Sequence, residues 1–182
     1  ITPDFIFMGK TLAAGYMPVS GLVTSSEISN KIIDKLGSIQ FSTTHQGHSL
    51  GVAASLAVQK IIQNKKFLKN VNENGSYFRK VLNNELGNHD FFLNVRGRGL
   101  RNSLEYKCDK NHLFGIALTN LAKEKYNLLL SAKWHRVCFS NAINIKKNDL
   151  DKILDKFIIS FKEVSNNWTR KKINKVKFRS FY

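Results

Sequence analysis

Four consecutive apolar residues, Phe5-Ile6-Phe7-Met8, stand between Pro3-Asp4 and Gly9-Lys10, and no other stretch narrows the fold so far. The run is too short for a helix, and its flanks are turn formers, so it reads as a short buried strand. Thr11 to Gly21 then reads as a loop punctuated by Gly15, Pro18 and Gly21. Lys10 thus closes the strand, where α/β folds place functional groups. Taken alone, an ordinary solvated lysine fits that place more simply.

Helical spacing dominates the next stretch. Thr24-Ser25-Ser26-Glu27 has the pattern of a capping box and predicts a helix through about Leu36, with Ile28, Ile32, Ile33 and Leu36 on one side. After the polar segment Phe41 to His48, a second helix is predicted near Leu50 to Gln63. Its small residues Gly51, Ala53, Ala54 and Ala57 argue for close packing and burial. A long amphipathic helix follows near Phe67 to Leu86, with Gly75 as a point where it could kink.

The remainder predicts a small sheet with helical cover. Phe91 to Val95 and Leu100 to Tyr106 read as strands around Arg96-Gly97-Arg98-Gly99, after a turn at Gly87 to Asp90. His112 to Tyr126 reads as a helix, Leu128 to Leu130 and Arg136 to Phe139 as strands. A final helix is expected to be capped by Asn148, with Leu150, Ile153, Leu154, Phe157, Ile158 and Phe161 as its stripe. The expected division is residues 1–65 as a strand, loop and helix layer, 66–168 as a small α+β domain, and 169–182 as a basic tail.

Composition bounds the possibilities. The chain has 182 residues, 42% hydrophobic and 23% charged, which supplies a core and excludes global disorder. No stretch approaches the roughly 20 apolar residues of a membrane span. Two cysteines, Cys108 and Cys138, exclude a disulfide scaffold and a four-thiolate zinc site, and fit a reducing compartment. His45 and His48 lack a nearby third ligand, so a metal pair there is the weaker reading. The chain opens at Ile1 without Met or a signal-peptide pattern, which reads as an internal cut in a longer protein.

Charge is the outlier: Lys+Arg 29 against Asp+Glu 13 gives +16. Such a balance would suit nucleic acid or an anionic surface. The excess is spread along the chain, however, and only Arg170 to Arg179 forms a dense block without acids. A solvated tail is the simpler reading of that block. No alternation of aromatic and basic residues marks an RNA-binding sheet, so nucleic acid is the less favoured reading of the charge.

The string Pro3-Asp4-Phe5-Ile6-Phe7-Met8-Gly9-Lys10-Thr11-Leu12-Ala13-Ala14-Gly15-Tyr16-Met17-Pro18-Val19-Ser20-Gly21 resembles the lysine motif of class III pyridoxal-phosphate aminotransferases. The resemblance continues in order. Thr44-His45-Gln46-Gly47-His48-Ser49-Leu50-Gly51 with its Ala-rich helix, Asn94-Val95-Arg96-Gly97-Arg98-Gly99-Leu100, and Trp134-His135-Arg136-Val137 look like three later segments of that family. The variant at Ala13 to Tyr16 and the run Ala57-Val58-Gln59 lean toward its ω-amino-acid branch.

The resemblance implies an α/β fold, the C-terminal part of a fold type I transferase: the end of the large cofactor-binding domain over 1–65, then the small domain. It implies pyridoxal 5'-phosphate as cofactor, an amino donor and a 2-oxo acid as substrates, a homodimer and a cytoplasmic location. Lys10 would form the Schiff base, Thr44 would reach the cofactor phosphate of the neighbouring subunit, and Arg136 would hold a substrate carboxylate. These residue types suit those tasks. An aldehyde needs an amine, a phosphate takes a hydroxyl, and a guanidinium fork grips a carboxylate with two parallel bonds. Read without the resemblance, Thr44 is equally a turn residue and Arg136 an exposed edge charge. Arg96 and Arg98 read as turn and ion-pair residues, and Cys138 as a small core residue.

Departures from the family pattern also stand in the chain. His45 replaces a tyrosine, Ser49 a proline, and Ser140-Asn141-Ala142 a proline-rich run, while the segment from Tyr106 to Leu128 is short. The family's acid for the pyridine nitrogen, its ring-stacking aromatic and a second phosphate loop all precede the lysine motif. The expectation is therefore the second half of such an enzyme, with weak or no turnover by itself. The alternative is a basic protein that binds nucleic acid or an anionic surface.

Overall fold

The computed structural model describes residues 1–107 and 113–168. Cys108, His112 and the basic block Arg170 to Arg179 therefore lie outside the described residues. Two compact units divide between Leu68 and Lys69.

In the first unit, β1 (Phe5–Met8) pairs antiparallel with β2 (Gly21–Thr24), Phe5 opposite Thr24 and Met8 opposite Gly21. β2 thus begins at the last residue of the loop predicted over Thr11 to Gly21 and runs to Thr24, where the capping box is predicted. The single 3₁₀ turn Lys10–Leu12 follows β1, then come α1 (Ser26–Leu36) and α2 (Ser49–Ile62). The cap of α1 is Ser25, whose Oγ accepts from the Ile28 N–H, and not Thr24. The Thr24 hydroxyl is already engaged, donating to the Asp4 carbonyl at 2.8 Å across the β1–β2 ribbon. Glu27 pairs with Lys31 one turn on, so no capping box forms.

β1 is exposed, contrary to the sequence reading, with Phe7 82% accessible. A two-stranded ribbon offers two faces, and among the described residues of this unit no second layer covers them. α2 likewise buries only Gly51 and Val58, while Leu50, Val52, Leu56 and Ile61 are exposed.

The second unit holds the core. α3 (Lys65–Leu86) begins within the first unit and runs unbroken through Gly75. β3 (Phe92–Arg98), β4 (Arg101–Tyr106), β5 (Ser131–Lys133) and β6 (Arg136–Ser140) form an antiparallel sheet in the order β3-β4-β6-β5. Leu128 to Leu130 lead into β5 without being strand themselves. Strand alternation sends Val95, Leu104, Tyr106, Val137 and Phe139 to one face. There they join Phe78 and Leu82 of α3, Phe114 and Leu118 of α4 (Leu113–Tyr126), and Leu154, Phe157 and Phe161 of α5 (Lys147–Asn166). Each such side chain contributes about 1.5–3 kcal/mol on burial.

α5 starts two residues earlier than a cap at Asn148 would set, with Lys146 at the N-cap position and no side-chain cap bond. Its seat is set by the buried stripe and by Glu163, which accepts from Lys125 Nζ at 2.7 Å and from the Tyr126 hydroxyl at 2.5 Å. The bonds from Lys125 and Tyr126 hold the Glu163 carboxyl below its ordinary range, and the bond to Glu163 holds the Tyr126 phenol above its own.

Candidate active site

Lys10 stands at the close of β1, exposed, with a backbone φ of 51°. The left-handed region is costly for a residue with a Cβ, about 1–2 kcal/mol. Ala14 at 50° and Gly15 at 83° continue the same unusual path. Backbone held this way implies that surrounding contacts over-determine it. They are identifiable. Ala13 is fully buried, Leu12 N–H donates to the Gly9 carbonyl, and Gln59 of α2 donates its amide to the Leu12 carbonyl at 3.2 Å. Gly51 lets α2 close on the loop, since a Cβ there would meet Val19 Cγ2 at 2.7 Å.

The loop borders an open concavity of about 580 Å³ lined by Lys10, Gly15, Met17, Pro18, Val19 and Ser20. That volume is in the range of small-ligand sites. Thr44 is exposed in the turn before α2 and is not among those lining residues. His48 caps α2, its Nδ1 accepting from the Gly51 N–H at 3.2 Å, which gives this imidazole a structural task. Gln59 and Gly51 were not foreseen as supports of the lysine loop. Their only sequence signal is the run of small residues in α2.

Arg136 belongs to the second unit, at the start of β6. The corner before it is fixed from below: the Tyr106 hydroxyl donates to the Trp134 carbonyl at 3.0 Å, and Tyr106 N–H to the His135 carbonyl at 2.9 Å. Arg136 projects on the face of the sheet opposite the core, with Cys138 and Ser140 two and four residues on. Its Nε is buried and makes no hydrogen bond. Glu105 is its Cα partner on β4 and Lys133 on β5. The Glu105 carboxylate nevertheless turns to Arg96, with Oε1 2.6 Å from Nη2.

Among the described residues no group of three His, Cys, Asp or Glu is arranged to hold a metal ion, and no helix is long and apolar enough to cross a membrane.

Comparison with known proteins gives a consistent result. The family model for aminotransferase class-III matches residues 1–160. An aminotransferase of Gibberella zeae is 36% identical over 110 residues, 60% of this chain and 22% of the relative. The ornithine aminotransferase of Plasmodium falciparum is 27% identical over 169 residues, 92% of this chain and 39% of the relative. Among solved structures, a transaminase obtained by ancestral reconstruction superposes with a TM-score of 0.81 at 25% identity, over 92% of this chain and 39% of its own. A transaminase from the marine bacterium Virgibacillus gives 0.82 at 18% identity, over 92% and 40%. The chain thus spans about two-fifths or less of the length of these proteins.

Proposed function

Because the chain belongs to the aminotransferase class-III family, we propose that it provides the lysine-bearing part of a pyridoxal-phosphate-dependent transaminase, which moves an amino group from an amine or amino acid to a 2-oxo acid. Its fold is α/β, that of the C-terminal part of a fold type I transferase, with the end of the large domain followed by an α+β small domain. The observation that carries the proposal is Lys10: an exposed primary amine held at a φ of 51° on the rim of a 580 Å³ concavity.

Pyridoxal 5'-phosphate, when bound, supplies the electron sink for the substrate carbon. Part of the remaining work would fall to residues of this chain. Lys10 Nζ would hold the cofactor through its aldehyde. An amine is required for this, and a guanidinium cannot stand in. The free Lys10 amine would also serve as the base that takes the proton from the substrate carbon. Thr44 Oγ1 would donate to a phosphate oxygen of the cofactor in the neighbouring subunit, as its place in the turn before the α2 N-terminus supports. Arg136 receives a substrate carboxylate, and its unpartnered Nε supports that role. A second copy of the enzyme is the proposed partner, and the exposed apolar Phe7, Leu50, Val52 and Leu56 support a protein interface.

The test is chemical. The protein is incubated with pyridoxal phosphate, reduced with borohydride and mapped by peptide mass spectrometry. The expected label is on Lys10, and Lys10→Arg carries none there. A label confined to other lysines overturns the assignment.

A further inference from the structure

Glu105 and Arg136 face each other as Cα partners on β4 and β6, and both project on the same face of the sheet. Opposite charges at directly paired positions have Cβ atoms about 4.5–5.5 Å apart and ordinarily engage. Here they do not. The Glu105 carboxylate reaches diagonally to Arg96 on β3 at 2.6 Å, although Arg96 is itself paired with Ser103. Arg136 makes no side-chain ion pair among the described residues, and its Nε is buried without a partner. The remaining charge in that row, Lys133, is a cation and cannot satisfy it.

A buried N–H left without an acceptor is destabilising, so its survival beside an available carboxylate calls for a reason. The competition is between two guanidiniums for one carboxylate. Arg96 wins, and what it withholds from Arg136 is the internal anion that would mimic a ligand. We propose that Arg96 is a positioning residue. By holding Glu105, it keeps that carboxylate off Arg136 and leaves the Arg136 guanidinium open for the carboxylate of a substrate. The inference rests on the reading of Arg136 as a carboxylate receptor and adds the device that keeps it vacant.

The geometry dictates the consequence of losing Arg96. With Arg96→Gln, the released Glu105 carboxylate turns to the cation across the strand, and Arg136 acquires an internal acceptor. A ligand carboxylate must then displace it. The expected loss of affinity is about fivefold, the weight of one partly exposed ion pair. Arg96→Lys, which keeps a cation, restores much of it. Glu105→Gln combined with Arg96→Gln restores it as well, because no competing anion remains. Arg96 is exposed on the outer face, so these variants keep the core intact.

The experiment uses the 182-residue chain and the Arg136 Nε–H signal in nitrogen-15 NMR, assigned with Arg136→Lys. Without any ligand, Arg96→Gln is expected to shift that signal, and the double variant Arg96→Gln with Glu105→Gln to return it to the wild-type position. No shift in Arg96→Gln, or a shift that persists in the double variant, overturns the proposal. Titration with propionate, a simple monocarboxylate, then tests the underlying reading separately. A wild-type Arg136 signal that ignores propionate, while other resonances stay in place, removes Arg136 as a carboxylate receptor whatever the ligand-free comparison gives. A propionate affinity equal in the wild type and in Arg96→Gln removes the positioning role alone.

Discussion

Gly75 on α3 and Gly99 in the β3–β4 turn meet backbone to backbone, so that a Cβ on Gly75 would lie 1.9 Å from the Gly99 carbonyl oxygen. Gly99 itself turns at a φ of 52°. The Arg-Gly-Arg-Gly segment is therefore fitted against the helix by what is missing from both residues.

Gly75→Ala measures that fit. Helix propensity alone favours alanine by about 1 kcal/mol. The clash is with backbone, which cannot swing aside, and forced core insertions cost about 1–3 kcal/mol. A net loss of up to about 2 kcal/mol is expected in urea unfolding, and a gain in stability would refute the contact.

Arg79 and Asn102 secure the same turn. Arg79 Nη1 donates to Asn102 Oδ1 at 2.9 Å, and Asn102 is only 2% accessible. Arg79→Ala strips a buried acceptor of its charged donor and is expected to cost about 1–3 kcal/mol. A cycle with Asn102→Ala should show coupling of about 1 kcal/mol, whereas additive effects would mean that the bond carries no weight.

Acid stability should depend on Glu163. Its bonds from Lys125 and Tyr126 lower the folded-state pKa relative to the ordinary 4.5. A carboxyl lowered in this way contributes stability that is present above pH 4.5 and lost as pH falls through the depressed folded value. The melting temperature of the wild type should therefore fall on acidification below that range. Glu163→Gln should start lower at neutral pH and fall less steeply, and parallel curves would dismiss the linkage.

Lys10 sits in a left-handed conformation that glycine adopts freely and alanine only at a cost of about 1–2 kcal/mol. Lys10→Gly is expected to be about 1 kcal/mol more stable than Lys10→Ala, the reverse of the ordinary order. Chemical denaturation of the two variants compares them directly. Equal stability, or a more stable Ala variant, would show that the loop relaxes once the lysine is gone.

What could be read beforehand follows the range of the forces involved. The α5 stripe and the alternation of β4 are local periodicities, and both stand in the fold. Lys10 was legible because turn formers and a strand frame it within a few residues. The exposure of β1 was not legible, since four apolar residues state a preference for burial and not the presence of a covering layer. The α5 cap was misassigned because Asn148 has the right chemistry but the buried stripe sets where the helix begins. Gly75 suggested a kink for the same reason: its partner Gly99 lies 24 positions away, the difference of their two numbers. The diversion of Glu105 to Arg96 depends on strand register and could not be inferred from spacing.

The chain's two tryptophans lie in contrasting surroundings. Trp168 is half-buried, its ring 5.0 Å from Phe114 and edge-on to it, while Trp134 is 61% exposed at the corner that delivers Arg136. Fluorescence therefore comes from two separable sources. A soluble quencher will extinguish the corner first and leave the aromatic cluster emitting, so unlabelled protein can report loosening of the Arg136 corner independently of melting of the interior.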